Sequence, residues 1–177
     1  FMLFVVSFSL ILSTENPSFA DEVSPAESIS APNWNYSIET ISSSALSDDG
    51  EYFVSGSENL GTVYLFEKGS DSLVWSSNIS SHTGIDVSIS SVDISANGDY
   101  LVAGTENEGI FLFSRESSTP LWNFNSGTQG SYRNHNVAMS ASGDYIAVGL
   151  YTDSPTRGLF LFSKESNVPL WHNNEFG

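Results

Sequence analysis

Apolar and polar positions along this chain fall into one pattern of about 47 residues, and the pattern is written three times. The middle copy is the clearest. Ser91-Val92-Asp93-Ile94-Ser95 alternates polar and apolar, as a strand with one covered face does, and it stops at Asn97-Gly98. That dipeptide predicts a hairpin, because asparagine and glycine tolerate the positive φ of a tight turn. Tyr100-Leu101-Val102-Ala103-Gly104 is the second strand, Thr105 to Gly109 a polar loop, and Ile110-Phe111-Leu112-Phe113 the third strand. Ser114 to Thr119 turns the chain, and Pro120-Leu121-Trp122-Asn123-Phe124 is the fourth. Each copy is thus expected to be a four-stranded antiparallel meander, over about 37–80, 85–126 and 135–177.

The third strands carry more information than the others. Val63-Tyr64-Leu65-Phe66, Ile110-Phe111-Leu112-Phe113 and Leu159-Phe160-Leu161-Phe162 are apolar at every position. A meander with one wet face would alternate, so continuous apolarity predicts cover on both faces, and stacking the copies face to face supplies it. The turn after the first strand reads Ser47-Asp48-Asp49-Gly50-Glu51-Tyr52, Ser95-Ala96-Asn97-Gly98-Asp99-Tyr100 and Ser140-Ala141-Ser142-Gly143-Asp144-Tyr145. A tryptophan follows the last phenylalanine of each third strand by nine residues, at Trp75, Trp122 and Trp171. That fixed spacing marks the indoles as packing between copies rather than as a stacking site for a sugar or quinone. Turn acids such as Asp99 and Asp144 are expected to bond the local backbone.

The stretch from Val92 to Gly104 resembles the first half of a WD-type propeller repeat, with an inner strand, a polar-Gly turn and a small-residue strand in that order. Where that family has Trp-Asp, this chain has Phe66-Glu67, Phe113-Ser114 and Phe162-Ser163. The stretch from Phe113 to Trp122 is similar instead to quinoprotein-type repeats, in which a fourth-strand tryptophan docks neighbouring blades. The resemblance covers residues 34–177 and implies an all-β, β-propeller fold of four-stranded antiparallel blades. About three blades are present, with Trp34-Asn35-Tyr36 as an amino-terminal closing strand. Propellers have typically 4–8 blades, so the sequence is expected to be a fragment of a larger ring, the alternative being an assembly of short chains.

Ahead of the repeats the pattern changes. Phe1 to Leu12 is almost wholly apolar, and Ser18-Phe19-Ala20 places small residues where a signal peptidase reads. Residues 1–20 therefore read as the tail of a secretory signal peptide or a truncated membrane anchor, and 21–33 as a polar linker containing Pro25 and Pro32. Both readings put the repeats outside the cytoplasm, secreted or at the cell surface. The formal net charge is −16, from 21 acidic against 5 basic side chains. Neutralising phosphates needs clustered Lys and Arg, so nucleic acid and anionic membrane surfaces are not expected partners of the repeats. With no cysteine in the chain, disulfides and thiolate metal sites are excluded.

No nucleophile elbow, phosphate loop or zinc motif occurs, and neither a catalytic residue, a metal nor a cofactor is expected. Glu106, Glu108 and Asp153 lack the ligand ladder of a calcium loop. The turns at one edge of the repeats are near copies, whereas the connections at the other edge differ, and unequal loops on a repeated scaffold are where recognition belongs. Tyr132, Arg133, His135, Tyr151 and Arg157 are the candidate partner-binding residues. The expectation is a non-catalytic binding or scaffold module for a protein or glycan. The alternative, implied by the quinoprotein likeness, is a piece of a quinone-dependent oxidoreductase.

Overall fold

In a computed structural model of the chain, Ile38 and residues 40–70, 72–106, 108–125, 135–150 and 158–173 are described. They form three four-stranded antiparallel sheets in which strand order follows chain order. The first sheet holds β1 (Ile41–Leu46), β2 (Tyr52–Ser57), β3 (Thr62–Glu67) and β4 (Leu73–Asn78). A one-turn helix, α1 (Ile79–Thr83), leads to the second, made of β5 (Ile89–Ile94), β6 (Tyr100–Thr105), β7 (Ile110–Ser114) and β8 (Trp122–Phe124). The third holds β9 (His135–Met139), β10 (Tyr145–Leu150), β11 (Gly158–Ser163) and β12 (Ser166–Asn173). The three meanders are those the pattern predicts. Residues 1–33 and the Trp34 segment lie outside the described residues.

The hairpin between first and second strands is the same device three times. Ser47, Ser95 and Ser140 each donate a backbone N–H to the carbonyl of Tyr52, Tyr100 and Tyr145 at 2.9 Å. Each serine Oγ then accepts the N–H of the same tyrosine at 3.0 Å. Gly98 N–H donates to Ser95 C=O at 2.9 Å, and the glycine takes φ 72°. Asn97 does not share that left-handed geometry, since among the described residues positive φ belongs to glycines alone. A type I turn closed by one left-handed glycine replaces the expected Asn-Gly turn. The serine hydroxyl bridges the two ends of the loop.

Two further details differ from the sequence reading. The fourth strand of the second sheet begins at Trp122 rather than Pro120, whereas that of the third sheet runs through the equivalent Pro169. Helix α1 occupies part of a connection expected to be loop. Its signal is local: Asn78 Oδ1 accepts Ser81 N–H at 2.8 Å as the N-cap, and Gly84 closes the other end at φ 76°.

Two apolar layers hold the sheets together. Val54, Val63 and Leu65 of the first sheet meet Ile89, Leu101, Phe111 and Phe113 of the second. Val102, Ile110 and Leu112 on the other side of the second sheet meet Ile146, Val148, Phe160 and Phe162 of the third. Alternate residues of β7 therefore enter different layers, which is why that strand is apolar throughout. Fully buried side chains such as Phe113 and Leu65 each contribute about 1.5–3 kcal/mol through removal from water. Trp75 packs on Phe113 with ring centroids 5.5 Å apart, and Trp122 on Phe162 at 5.8 Å, so both indoles join neighbouring sheets.

Candidate functional site: the edge with unequal connections

Antiparallel meanders put the connections between first and second strands, and between third and fourth, at one edge. Those between second and third strands, and between sheets, fall at the other. The first edge is uniform in structure as well as sequence. Glu51, Asp99 and Asp144, one residue past each turn glycine, pair with Lys68, Arg115 and Lys164, each at 3.0 Å. The backbone N–H of each base donates to the carbonyl of its acid's residue at 2.7, 2.8 and 2.9 Å.

Asp99 and Asp144 are thus ion-pair partners, not the expected backbone caps. The cap belongs to the residue before the glycine, where Asp49, Asn97 and Ser142 accept the N–H of Glu51, Asp99 and Asp144. A charge-assisted bond to a nearby base is stronger than a second bond to the turn backbone, and the base lies within reach only once the second hairpin has folded. Hydrogen bonding to Lys164 holds the Asp144 carboxyl below its ordinary range and raises Lys164 in return. Ser47 and the Glu51 N–H do the same for the Asp49 carboxyl.

The same bases tie sheet to sheet. Arg115 of the second sheet lies 4.7 Å over the Tyr52 ring of the first, and Lys164 of the third lies 4.7 Å over Tyr100 of the second. Trp75 Nε1 donates to Arg115 C=O and Trp122 Nε1 to Lys164 C=O, both at 2.7 Å. The uniform edge is a set of clasps.

At the other edge the connections differ in kind. Glu58 to Gly61 is folded back on β1 by Glu58 N–H to Thr40 C=O (3.1 Å) and Asn59 Nδ2 to Thr40 Oγ1 (2.8 Å). Glu108 N–H instead donates to Thr105 Oγ1 at 2.9 Å, and Asn125 Nδ2 reaches Glu108 Oε2 at 3.2 Å. Helix α1 stands between the first two sheets in sequence, with Ile79 fully buried. Ser77 Oγ and His82 Nε2 lie 3.3 Å apart, a pair the sequence reading did not single out. The serine is buried at 3% exposure, so its hydroxyl ties α1 to β4 and offers no approach to a substrate.

Of the expected partner-binding residues, His135 is placed by its backbone, opening β9 opposite Leu150. Leu150 in turn pairs with Gly158 at the start of β11. The strand start that follows 126–134 and the two strand ends that bound 151–157 are therefore side by side at the unequal edge. Tyr132, Arg133, Tyr151 and Arg157 themselves lie outside the described residues.

Among the described residues, charge separates the two edges. Lys68, Arg115 and Lys164 all lie at the uniform edge, each paired with an acid. The described part of the unequal edge carries Glu58, Asp86, Glu106 and Glu108, and none of these forms an ion pair among the described residues. Nor, among those residues, do three or more acids and histidines gather as a metal site. Comparison of the chain with protein-family models and with curated proteins finds no match.

Proposed function

We propose that the three sheets are blades of a β-propeller outside the cytoplasm. In this reading the protein is a non-catalytic binding or scaffold module whose unequal edge meets a protein or glycan. The observation that carries the reading is the division of labour between edges. At one, a single clasp made twice holds each sheet to the next in fixed relation. At the other, connections of different length and content hang from strand ends held side by side. Rigid, repeated framework below and dissimilar loops above is the arrangement in which recognition residues change at little structural cost. The apolar run and small-residue pair within residues 1–20 support the extracytoplasmic placement.

The test uses the full chain on a glycan array and on a panel of immobilised secreted proteins. Tyr132→Ala combined with Tyr151→Ala is expected to lower retention at least about tenfold, a loss of 1.4 kcal/mol in binding. Asn97→Asp, which copies the first repeat's Asp49 into the second, is expected to leave it unchanged. Equal loss from both variants would sink the assignment of the unequal edge.

A further inference from the structure

Most of the groups with which one sheet grips the next have counterparts on the outward face of the third sheet. Ser43 Oγ accepts Val92 N–H at 3.1 Å and Ser91 Oγ accepts Val137 N–H at 2.9 Å; the third repeat has Asn136 at that position, exposed. Asp48 N–H donates to Ala96 C=O at 3.0 Å and Ala96 N–H to Ala141 C=O at 2.9 Å, so Ala141 N–H is next in the series. Tyr52 and Tyr100 lie under cations, but Tyr145 is 51% exposed. Trp75 and Trp122 donate across to the following sheet, but Trp171 is 49% exposed and its indole has no acceptor among the described residues.

The apolar floor between these groups is repeated too. Val63 and Ile110 are fully buried, and their counterpart Leu159 is 45% exposed. Val54 and Val102 are fully buried, and Ala147 in their place is exposed. Gly56 lets Ile89 of the second sheet approach so closely that a Cβ there would overlap its Cγ2. At Gly149, the equivalent position of the third sheet, a Cβ would meet nothing nearer than Leu159 Cδ2 at 3.9 Å.

We propose that this face is one half of a repeated interface and takes a fourth sheet of the same repeat, continuing the polypeptide. Its third strand ends in a phenylalanine followed two residues later by lysine or arginine. The chemistry dictates that sequence: one residue must offer its carbonyl to Trp171 and its cation to Tyr145, as Arg115 and Lys164 do for the sheets before them. All three repeats obey the rule, in Phe66-Glu67-Lys68, Phe113-Ser114-Arg115 and Phe162-Ser163-Lys164. A second copy of the chain is the poorer occupant. It would have to present the first sheet's opposite face, where Phe66 and Tyr64 are already buried at 3% and 8% exposure. The inference rests on sheet packing and is independent of what the unequal edge binds.

The test exploits the absence of cysteine. Ala147→Cys is introduced into the full chain and into an extended chain in which residues 125–173 are repeated directly after Asn173. Val102→Cys marks the reactivity of the equivalent covered position. In the full chain Ala147→Cys should react with a thiol reagent at least about tenfold faster than Val102→Cys, and in the extended chain that advantage should disappear. Lys164→Met in the added copy should restore part of the reactivity. Should that extension fail to fold, a second one, repeating residues 79–124 after Asn173, replaces it. The proposal is overturned if neither extension protects the thiol. It is equally overturned if protection grows with concentration of the unextended chain, since a second copy then covers the face.

Discussion

The basic residue that follows the third strand of the second and of the third sheet acts through three different groups. Arg115 gives its guanidinium to Asp99 and to the Tyr52 ring, its N–H to Asp99 C=O and its carbonyl to Trp75. Arg115→Met should therefore cost about 1 kcal/mol, the sum of a part-exposed ion pair and a surface cation–π contact, because the backbone contacts survive. Arg115→Lys, which copies the third repeat, should recover most of that loss in urea denaturation. The pair Asp144–Lys164 gives a pH signature. A carboxyl held below the ordinary 3.8 is protonated more readily in the unfolded chain, so its stabilisation is present above that value and fades as pH falls below it. A lysine held above the ordinary 10.5 stabilises below that value and loses its effect as pH rises through its raised range. Asp144→Asn should accordingly be less stable than the parent at neutral pH, with the gap closing at both acid and alkaline ends. A gap that stayed constant across the range would assign the loss to packing instead. None of these pairings was legible in the sequence, where Asp99 and Asp144 looked like turn caps, because the base that claims each acid lies in a different hairpin.

Among elements, the second strand carries the sharpest contrast. Gly56 and Gly149 occupy the same position of β2 and β10, yet only the first is pressed by a neighbouring sheet. Gly56→Ala should destabilise by about 1–3 kcal/mol through overpacking against Ile89. Gly149→Ala should be neutral within about 0.5 kcal/mol, as substitutions away from tight packing usually are. Thermal melts of the two variants decide the matter. The strands themselves were readable: alternation located β5, and unbroken apolarity located β3, β7 and β11. Helix α1 was not, because one turn is too short to show a 3.6-residue period and its caps, Asn78 and Gly84, read equally well as loop residues.

At the scale of the three sheets, stability is a sum of sheets and of the interfaces between neighbours. Trp122→Phe strands the Lys164 carbonyl without its donor, an expected loss of about 1–3 kcal/mol. Trp171→Phe in the same chain should change little, since its indole N–H has no acceptor among the described residues. A comparable loss at both positions would show that the third indole is already engaged. The recurrence of turn, strand and tryptophan in the sequence by itself determined that there are three meanders and that they stack. It did so because hydrogen-bonded turns and apolar alternation are local properties, written within a dozen residues. The tertiary structure alone decided which acid meets which base, which glycine is pressed by a neighbour, and that the third sheet's outward face repeats an interface made twice before. Those are distances between residues on different hairpins or different sheets, and no pattern written within a dozen residues can record them.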